Sequence, residues 1–288
     1  MSDSKSQHVT VVGAGTMGRG IAQVAASIGR EVILVDADQA AAEAAIEAIA
    51  ASLERAVAKG RVTDEARTTT LANISASGDA LSAASHADIV VEAVPELLDL
   101  KQRLLADLAI AAPSHCMLGT NTSSLSIGAI ADGNPAADRI VGLHFFNPVP
   151  VMKLIEIVVG GETDAAIVER AQAFSVDLGK DPIVVKDSPG FATSRLGVLL
   201  GLEAMRMLQE GVASAGDIDK AMELGYRHPM GPLKLTDLVG LDVRLAIAEH
   251  LQRELGTDTF APPQILRDLV ADGKLGKKSG AGFYDYGE

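Results

Sequence analysis

The amino-acid sequence predicts an α/β protein with two domains: a doubly wound, mostly parallel sheet at the N-terminus and an all-α domain at the C-terminus. Short apolar runs rich in β-branched residues alternate with helical stretches up to about residue 188, and no strand-like run follows. Apolar residues make up 48% of the 288 residues, but aromatic residues only 3%. This composition is typical of aliphatic helices that pack on a parallel sheet.

The first elements follow the order strand, turn, helix, strand. His8–Val12 is an apolar run that stops at Gly13, and Met17–Ile28 carries apolar residues at helical spacing. Val32–Val35 is a second apolar run and ends before Asp36. Six more short runs predict further strands: Ile74–Ala76, Ile89–Ala93, Met117–Thr120, Ile140–Leu143, Leu154–Val159 and Ile183–Val185. The helical stretches between most of them predict right-handed crossovers.

A helical hairpin is predicted over about residues 40–72. The Ala-rich stretch Ala40–Lys59 is long enough for about five helical turns and ends at Gly60. Thr63, followed by Asp64 and Glu65, is a typical helix start because it places a capping oxygen and negative charge at the positive end of the helix. We expect this hairpin to be an insertion in the first domain.

The domain boundary is predicted after Ser188–Gly190, which gives domains of residues 1–188 and 189–288. Ser214 with Asp217 three residues later indicates a helix start in the second domain. A Pro/Gly-rich stretch, Pro229–Pro232, separates the next two helices.

Composition and charge exclude several classes of partner. The net charge of −13 argues against nucleic-acid binding, which needs a basic surface. No apolar run reaches the ~20 residues needed to span a bilayer, and Met1–Gln7 lacks the features of a signal peptide. The single cysteine, Cys116, cannot form an intramolecular disulfide, and no metal-ligand spacing accompanies it. We expect a cytoplasmic protein with no metal and no membrane partner.

A glycine-rich turn predicts a dinucleotide site of the Rossmann type. Gly13–Gly18 matches GxGxxG after a strand and before a helix, and Asp36 follows the next strand. The first glycine permits a tight turn, the second lets the backbone approach a diphosphate, and the third allows close packing of helix and strand. Asp36 would accept hydrogen bonds from the adenosine ribose and repel a 2′-phosphate, which favours NAD over NADP. The alternative for Asp36 is a solvent-exposed turn residue.

Three polar features further along the chain are candidates for catalysis. A hydroxyl cluster, Asn121–Ser124, follows a strand, His144 ends another strand, and Glu156 lies inside an apolar strand. Each has a structural alternative: a helix cap near Ser126, a core histidine and an exposed strand edge. However, Glu156 shares a strand face with apolar residues, so it is expected to be buried and to need a partner. A carboxylate held against His144 would fix its tautomer and stabilise its protonated form, as a general base requires.

His144 begins an eleven-residue segment, HFFNPVPVMKL at His144–Leu154, that resembles the signature of the 3-hydroxyacyl-CoA dehydrogenases. The resemblance covers nearly the whole chain. It includes the glycine turn and four further segments: Asn121–Leu125, Asp187–Phe191, Pro229–Pro232 and Gly280–Tyr284.

The resemblance implies NAD-dependent oxidation of a (3S)-3-hydroxyacyl-CoA, of short chain length by analogy with the 3-hydroxybutyryl-CoA enzymes. His144 would take the hydroxyl proton while hydride leaves C3, Glu156 would orient the imidazole, and Ser123 would hydrogen-bond the reacting oxygen. The implied cofactor contacts are Gly13, Gly15, Thr16, Met17, Gly18, Asp36, Glu96, Lys101, Ser123, Asn147 and Lys278. Ser52 and Lys59 would lie near CoA. The structural alternative for each lysine is a solvated surface charge.

The resemblance also implies a homodimer, with the second domain supplying part of the substrate cleft. Three basic residues lie at the tip of the predicted hairpin: Arg55, Lys59 and Arg61. They could bind CoA phosphates although the chain has a negative net charge. One active-site position departs from the family: Ser194 stands before Arg195, where the family has Asn. A hydroxyl still donates a hydrogen bond but offers fewer bonds than an amide and reaches less far.

Two other functions remain open from the sequence. One is a dehydrogenase of the same architecture that acts on a free hydroxy acid or sugar acid, as in the gulonate dehydrogenase branch. The other is a non-catalytic NAD-binding or crystallin-like protein. Activity without the CoA moiety would favour the first, and NAD binding without turnover would favour the second.

Overall fold

A computed structural model describes residues 7–287, so most of the polar start Met1–Gln7 lies outside the described residues. The chain divides into two compact units, Met1–Asp187 and Ser188–Glu288. The first contains all the strands, and residues 188–287 contain helices and only isolated bridges between single residue pairs.

Eight strands form one sheet in the first unit: β1 (His8–Val12), β2 (Glu31–Val35), β3 (Ile74–Ser77), β4 (Ile89–Glu92), β5 (Met117–Thr120), β6 (Ile140–Phe145), β7 (Leu154–Val159) and β8 (Asp181–Lys186). Their order is β3-β2-β1-β4-β5-β6-β7-β8. The predicted doubly wound, mostly parallel sheet is confirmed, and the first six strands have the order of a Rossmann domain.

The sheet departs from parallel pairing at one place, because β6 and β7 are antiparallel. Residues 146–153 connect them, too short a segment for the crossover of a dozen or more residues that parallel neighbours need. Strand β6 also continues two residues beyond the predicted Ile140–Leu143, so that it includes His144 and Phe145. Both strands are almost entirely buried, and such runs do not reveal strand direction in the sequence.

Seven helices accompany the sheet: α1 (Thr16–Ser27), α2 (Gln39–Ala58), α3 (Asp64–Ala72), α4 (Ala80–Ala84), α5 (Leu98–Ala111), α6 (Ile127–Ala131) and α7 (Ala165–Asp177). A 3₁₀ turn spans Ala137–Arg139. Helices α2 and α3 form the predicted hairpin. The Thr63 hydroxyl accepts from the amide of Ala66 at the start of α3, which is the predicted cap.

The core of the first unit is aliphatic. One part of it lies between the sheet and the inner faces of α1, α2 and α7, where Ile21, Leu34, Ile49, Leu143 and Phe174 are almost fully buried.

The second unit contains five helices: α8 (Thr193–Gln209), α9 (Ala215–Lys220), α10 (Pro232–Val239), α11 (Leu241–Leu255) and α12 (Gln264–Ala271). Helix α9 continues over Ala221–Gly225 as a wider π turn, and 3₁₀ turns span Asp258–Phe260 and Lys277–Ser279. Ser214 caps α9 by accepting from the amide of Asp217, as predicted.

Two buried carboxylates fasten the C-terminal segment of this unit. Asp219 accepts from the hydroxyl of Tyr284 at 2.7 Å and from the amide of Leu233 at 2.8 Å. Asp237 accepts from the amides of Phe283 and Tyr284, each at 3.0 Å. Burial, together with the bond to Asp219, raises the pKa of Tyr284, so the phenol stays protonated and donates its hydrogen bond.

No helix in residues 7–287 has both the length and the apolar character needed to cross a membrane.

Candidate functional site

The glycine turn between β1 and α1 has the geometry of a dinucleotide cradle. Gly13 has φ +107°, and a Cβ there would lie 2.6 Å from the carbonyl oxygen of Ala93. A Cβ on Gly18 would lie 1.7 Å from the carbonyl oxygen of Gly13, so only glycine allows this approach. A Cβ on Gly15 would have no atom within 4 Å, so the backbone at this exposed position is open to a ligand.

The start of α1 and the residue that follows β2 fit the diphosphate and the adenosine ribose of NAD. The helix begins at Thr16 and Met17 with no side-chain cap, so its first amides can donate to a diphosphate. Asp36 follows β2, and its Oδ2 accepts from the amide of Ala14 at 2.9 Å. This bond holds the half-buried carboxylate against the turn, with its other oxygen able to accept from a ribose hydroxyl.

His144 and Glu156 face each other across the antiparallel pair β6–β7. They are register partners, and Nδ1 of His144 lies 2.7 Å from Oε2 of Glu156. His144 is 6% exposed and Glu156 is fully buried. Strand β7 lies between β6 and β8, so the alternative of an exposed strand edge for Glu156 is wrong. Its buried charge has the partner that burial requires.

The imidazole also contacts an aromatic ring. Its centroid lies 4.4 Å from that of Phe146, with a tilt of 46°. Because Nδ1 is used by Glu156, any further proton exchange by this ring involves Nε2.

Glu96 holds the hydroxyl cluster that follows β5. Its Oε1 accepts from the Thr122 hydroxyl at 2.6 Å and from the amides of Ser123 and Ser124 at 2.9 and 3.1 Å. Burial raises the pKa of Glu96, but these hydrogen bonds and the charge of Lys101 outweigh it, so the pKa lies below its ordinary value. The loop that carries exposed Ser123 is therefore fixed by an ionised carboxylate.

The cluster is not the helix cap that was its structural alternative. Ser126 caps α6 by accepting from the amide of Ala129, whereas Thr122–Ser124 are bound to Glu96.

A buried ion pair connects β4 to α5, and the sequence reasoning missed half of it. Nζ of Lys101 lies 2.7 Å from Oε1 of Glu92 and 3.3 Å from Glu96, with Lys101 1% exposed and Glu92 fully buried. Thr120 donates to the second oxygen of Glu92 at 2.6 Å. The alternative of a solvated surface charge for Lys101 is wrong. An acid within a predicted apolar strand, the signal used for Glu156, would have identified Glu92.

The candidate site residues of the first unit share one edge of the sheet. The glycine turn, Asp36, Glu92, Asn121 and His144 lie at or just beyond the carboxyl ends of β1, β2, β4, β5 and β6, which are mutually parallel. Oδ1 of Asn121 accepts from the amide of Phe145 at 2.9 Å and joins two of these ends. The carboxyl edge is where doubly wound sheets bind their ligands.

A cavity of about 600 Å³ opens beside this edge, within the size range of ligand pockets. Three parts of the first unit form its walls: the outer face of α1, the α2–α3 hairpin and the segment 147–151 after β6. The lining includes the predicted CoA residues Ser52 and Lys59 and the predicted cofactor residue Asn147. It also includes Arg55 and Arg61 of the hairpin.

One lysine without a predicted role, Lys180, is buried beside the cavity. Lys180 is 6% exposed, and its Nζ donates to the carbonyls of Val149 and Met152, the latter at 2.7 Å. It therefore holds the segment that forms one wall of the cavity. Burial and the nearby charge of Lys153 lower its pKa. In the sequence, Lys180 looks like an ordinary surface lysine before a strand.

The two remaining predicted site residues lie in the second unit. Ser194 is half-buried in the first turn of α8. Lys278 lies in a 3₁₀ turn, and its Nζ is 2.6 and 2.7 Å from the two carboxylate oxygens of Asp242.

In the described part of the chain, no three His, Cys, Asp or Glu residues are grouped to hold a metal ion. Burial raises the pKa of the Cys116 thiol to about 12, so this group is unreactive at neutral pH.

Comparison with known proteins identifies one family over both units. The model described as "3-hydroxyacyl-CoA dehydrogenase, NAD binding domain" matches residues 8–188, and that of its C-terminal domain matches residues 190–286. A probable 3-hydroxybutyryl-CoA dehydrogenase of Bacillus subtilis is 42% identical over 98% of both chains. The mitochondrial hydroxyacyl-coenzyme A dehydrogenase of Homo sapiens is 43% identical over 97% of this chain and 91% of its own.

A solved structure of the same family is also similar to this chain. The (S)-3-hydroxybutyryl-CoA dehydrogenase of Ralstonia eutropha has a TM-score of 0.94 and 41% identity, covering 99% of this chain and all of the other.

Proposed function

The chain belongs to the 3-hydroxyacyl-CoA dehydrogenase family, and we propose that it oxidises short-chain (3S)-3-hydroxyacyl-CoA thioesters, such as 3-hydroxybutyryl-CoA, to the 3-oxo thioesters with NAD. The observation that carries this proposal is the buried His144–Glu156 pair at the carboxyl edge of a sheet whose first turn fits NAD. The same groups serve the reverse reduction, because the base that takes the proton in the oxidation returns it in the reduction.

The residues of the glycine turn hold the cofactor. Gly15 leaves room for a diphosphate, the first amides of α1 would donate to it, and Asp36 would accept from the adenosine ribose. When bound, NAD supplies the acceptor for the hydride that leaves C3 of the substrate.

His144 takes the proton of the 3-hydroxyl at Nε2. Nδ1–H donates to Glu156, which fixes the tautomer and stabilises the imidazolium formed in the oxidation. The Ser123 hydroxyl hydrogen-bonds the reacting oxygen and so keeps it near His144. Glu96 acts on this step through the loop, because it fixes the amides of Ser123 and Ser124.

The cavity beside the hairpin takes the CoA moiety. Its lining carries four basic residues and no acid in a chain of net charge −13, which provides the local positive field that a phosphorylated substrate needs. Ser52 and Lys59 would donate to the CoA nucleotide, and Asn147, on the opposite wall, would contact the nicotinamide end of NAD.

Ser194 and Lys278 are assigned by family resemblance: Ser194 to the thioester or 3-oxo group and Lys278 to the cofactor. The second unit also supports a homodimer. Helices α8 and α10 expose large apolar side chains, including Leu196 and Leu238, which are 61% and 51% exposed. We further propose a cytoplasmic location, consistent with a single cysteine that is buried.

The test is an NADH-linked assay over CoA-bound and free 3-hydroxy acids of increasing chain length. The proposal predicts NADH formation from (3S)-3-hydroxybutyryl-CoA, with lower kcat/KM for longer acyl chains. No turnover of any 3-hydroxyacyl-CoA would overturn it. Equal turnover of the free acids would show that CoA recognition is not part of the function.

A further inference from the structure

Arg19 projects from the outer face of α1 into the cavity. Thr16, Arg19, Gly20 and Gln23 line it at the i, i+3, i+4, i+7 spacing of one helix face. The opposite face, which includes Ile21, is buried against the sheet. The GxGxxG pattern directs attention to the glycines of this helix and gives Arg19 no role.

Arg19 has no partner within residues 7–287, since no acceptor lies within hydrogen-bonding distance of its guanidinium and no carboxylate pairs with it. Other arginines of the same unit do have partners: Arg30 lies 2.6 Å from Asp177, and Arg139 donates to the carbonyls of Pro113 and Ala109 at 2.7 and 2.9 Å. Arg19 is half-buried. A partly desolvated cation without a counter-charge is unfavourable, and a bound anion would offset that cost.

The other basic residues of the cavity are arranged differently. Arg55, Lys59 and Arg61 lie on the hairpin and are exposed. Arg19 lies one helical turn from Thr16, at the carboxyl edge of the sheet, on the same side as the segment that follows His144. The four cations therefore form an inner position at Arg19 and an outer rim on the hairpin.

We propose that Arg19 binds the diphosphate of the CoA substrate, while the hairpin cations bind the 3′-phosphate of its adenosine. This inference rests on the proposed function. Along a CoA thioester, the order is acyl group, pantetheine arm, diphosphate and then 3′-phosphate. With the acyl group at His144, the diphosphate comes before the 3′-phosphate and meets the inner cation. A guanidinium binds two phosphate oxygens through parallel N–H groups, which suits this position.

The test uses one acyl group on three carriers: CoA, dephospho-CoA and pantetheine. Arg19→Met is expected to lower kcat/KM for the CoA and dephospho-CoA thioesters by about tenfold or more relative to the pantetheine thioester, as the loss of a charge-assisted hydrogen bond predicts. Arg103→Met is the matched control, because Arg103 is exposed on α5 and lies outside the cavity. It should leave all three values unchanged.

Three results would overturn the inference. A loss confined to the CoA thioester would assign Arg19 to the 3′-phosphate. An equal loss on all three carriers would indicate a structural role. An increase in KM for NAD alone would assign Arg19 to the cofactor.

Failure of the proposed function has a separate signature, which is that the wild-type protein turns over none of the three thioesters. Calorimetric titration with free CoA and with dephospho-CoA would then decide the inference about Arg19. About tenfold weaker binding of both ligands by Arg19→Met supports it, whereas wild-type affinity for dephospho-CoA contradicts it.

Discussion

The charged residues at the edge of the sheet and the basic residues of the cavity differ in burial and in whether they have partners within the fold. Glu92, Lys101, His144 and Glu156 are almost fully buried, and their partners are within the fold, at 2.7 Å in both pairs. The cavity cations, by contrast, have no internal partner among residues 7–287 and are exposed or half-buried. The groups proposed for chemistry are thus fixed by contacts within the fold, whereas the cations proposed to bind the substrate have no such contacts among the described residues.

The largest effect should follow from breaking the Lys101–Glu92 pair. Lys101→Met leaves a fully buried carboxylate without its counter-charge, which is expected to lower the free energy of unfolding by about 3–5 kcal/mol. Denaturant unfolding measures this. Lys274→Met is the control, because its pair with Asp272 is exposed and should contribute at most about 1 kcal/mol.

Adding Glu92→Gln to Lys101→Met should recover part of the stability, since the double variant buries no unpaired charge. A single variant as stable as the wild type would mean that the buried pair does not organise this edge.

Replacing His144, the proposed base, should have the next largest effect. His144→Gln keeps a polar side chain of similar size but cannot take the hydroxyl proton, so kcat should fall by about 100-fold or more. Steady-state kinetics with saturating NAD measures it. A kcat near that of the wild type would remove His144 from this role.

Glu156→Gln should have a smaller effect on turnover. The amide oxygen can still accept from Nδ1 of His144, but it lacks the charge that stabilises the imidazolium, so kcat should fall by about tenfold. Exposed Glu162→Gln, just after the same strand, is the control. Identical kinetics for the two variants would show that the buried charge has no part in catalysis.

The smallest effect concerns Glu96 and depends on pH. Its pKa is lowered in the folded protein, so its stabilising contribution is fully present above the ordinary value of 4.5 and is lost as the pH falls through the lower folded value. The melting temperature of Glu96→Gln should be about 1–3 °C below wild type at neutral pH, and the difference should disappear in acid. A difference that persists at low pH would show that charge is not the cause.

Much of the first unit could be predicted because short apolar runs specify strands well. His8–Val12, Met117–Thr120 and Leu154–Val159 coincide with the predicted strands. The antiparallel direction of β7 could not be predicted from its residues, because a strand buried on both faces has the same pattern in either direction. In the sequence, only the short connection after Phe145 indicates that β7 runs antiparallel to β6.

Outside the glycine turn and the residues implied by family resemblance, the site was predictable only where a residue breaks the pattern of its element. Glu156 stands out in an apolar strand, which predicts a buried partner. Lys101, Lys180 and Arg19 lie on helices or before a strand, where a charge is ordinary in sequence and its burial depends on tertiary packing.

The most direct test of the contrast between the two regions compares His144→Gln and Arg19→Met in one assay with (3S)-3-hydroxybutyryl-CoA and NAD. We expect His144→Gln to lower mainly kcat and Arg19→Met to raise mainly the KM for the thioester. The same change in kcat and KM for both variants would contradict a division between buried groups for chemistry and unpaired cations for binding.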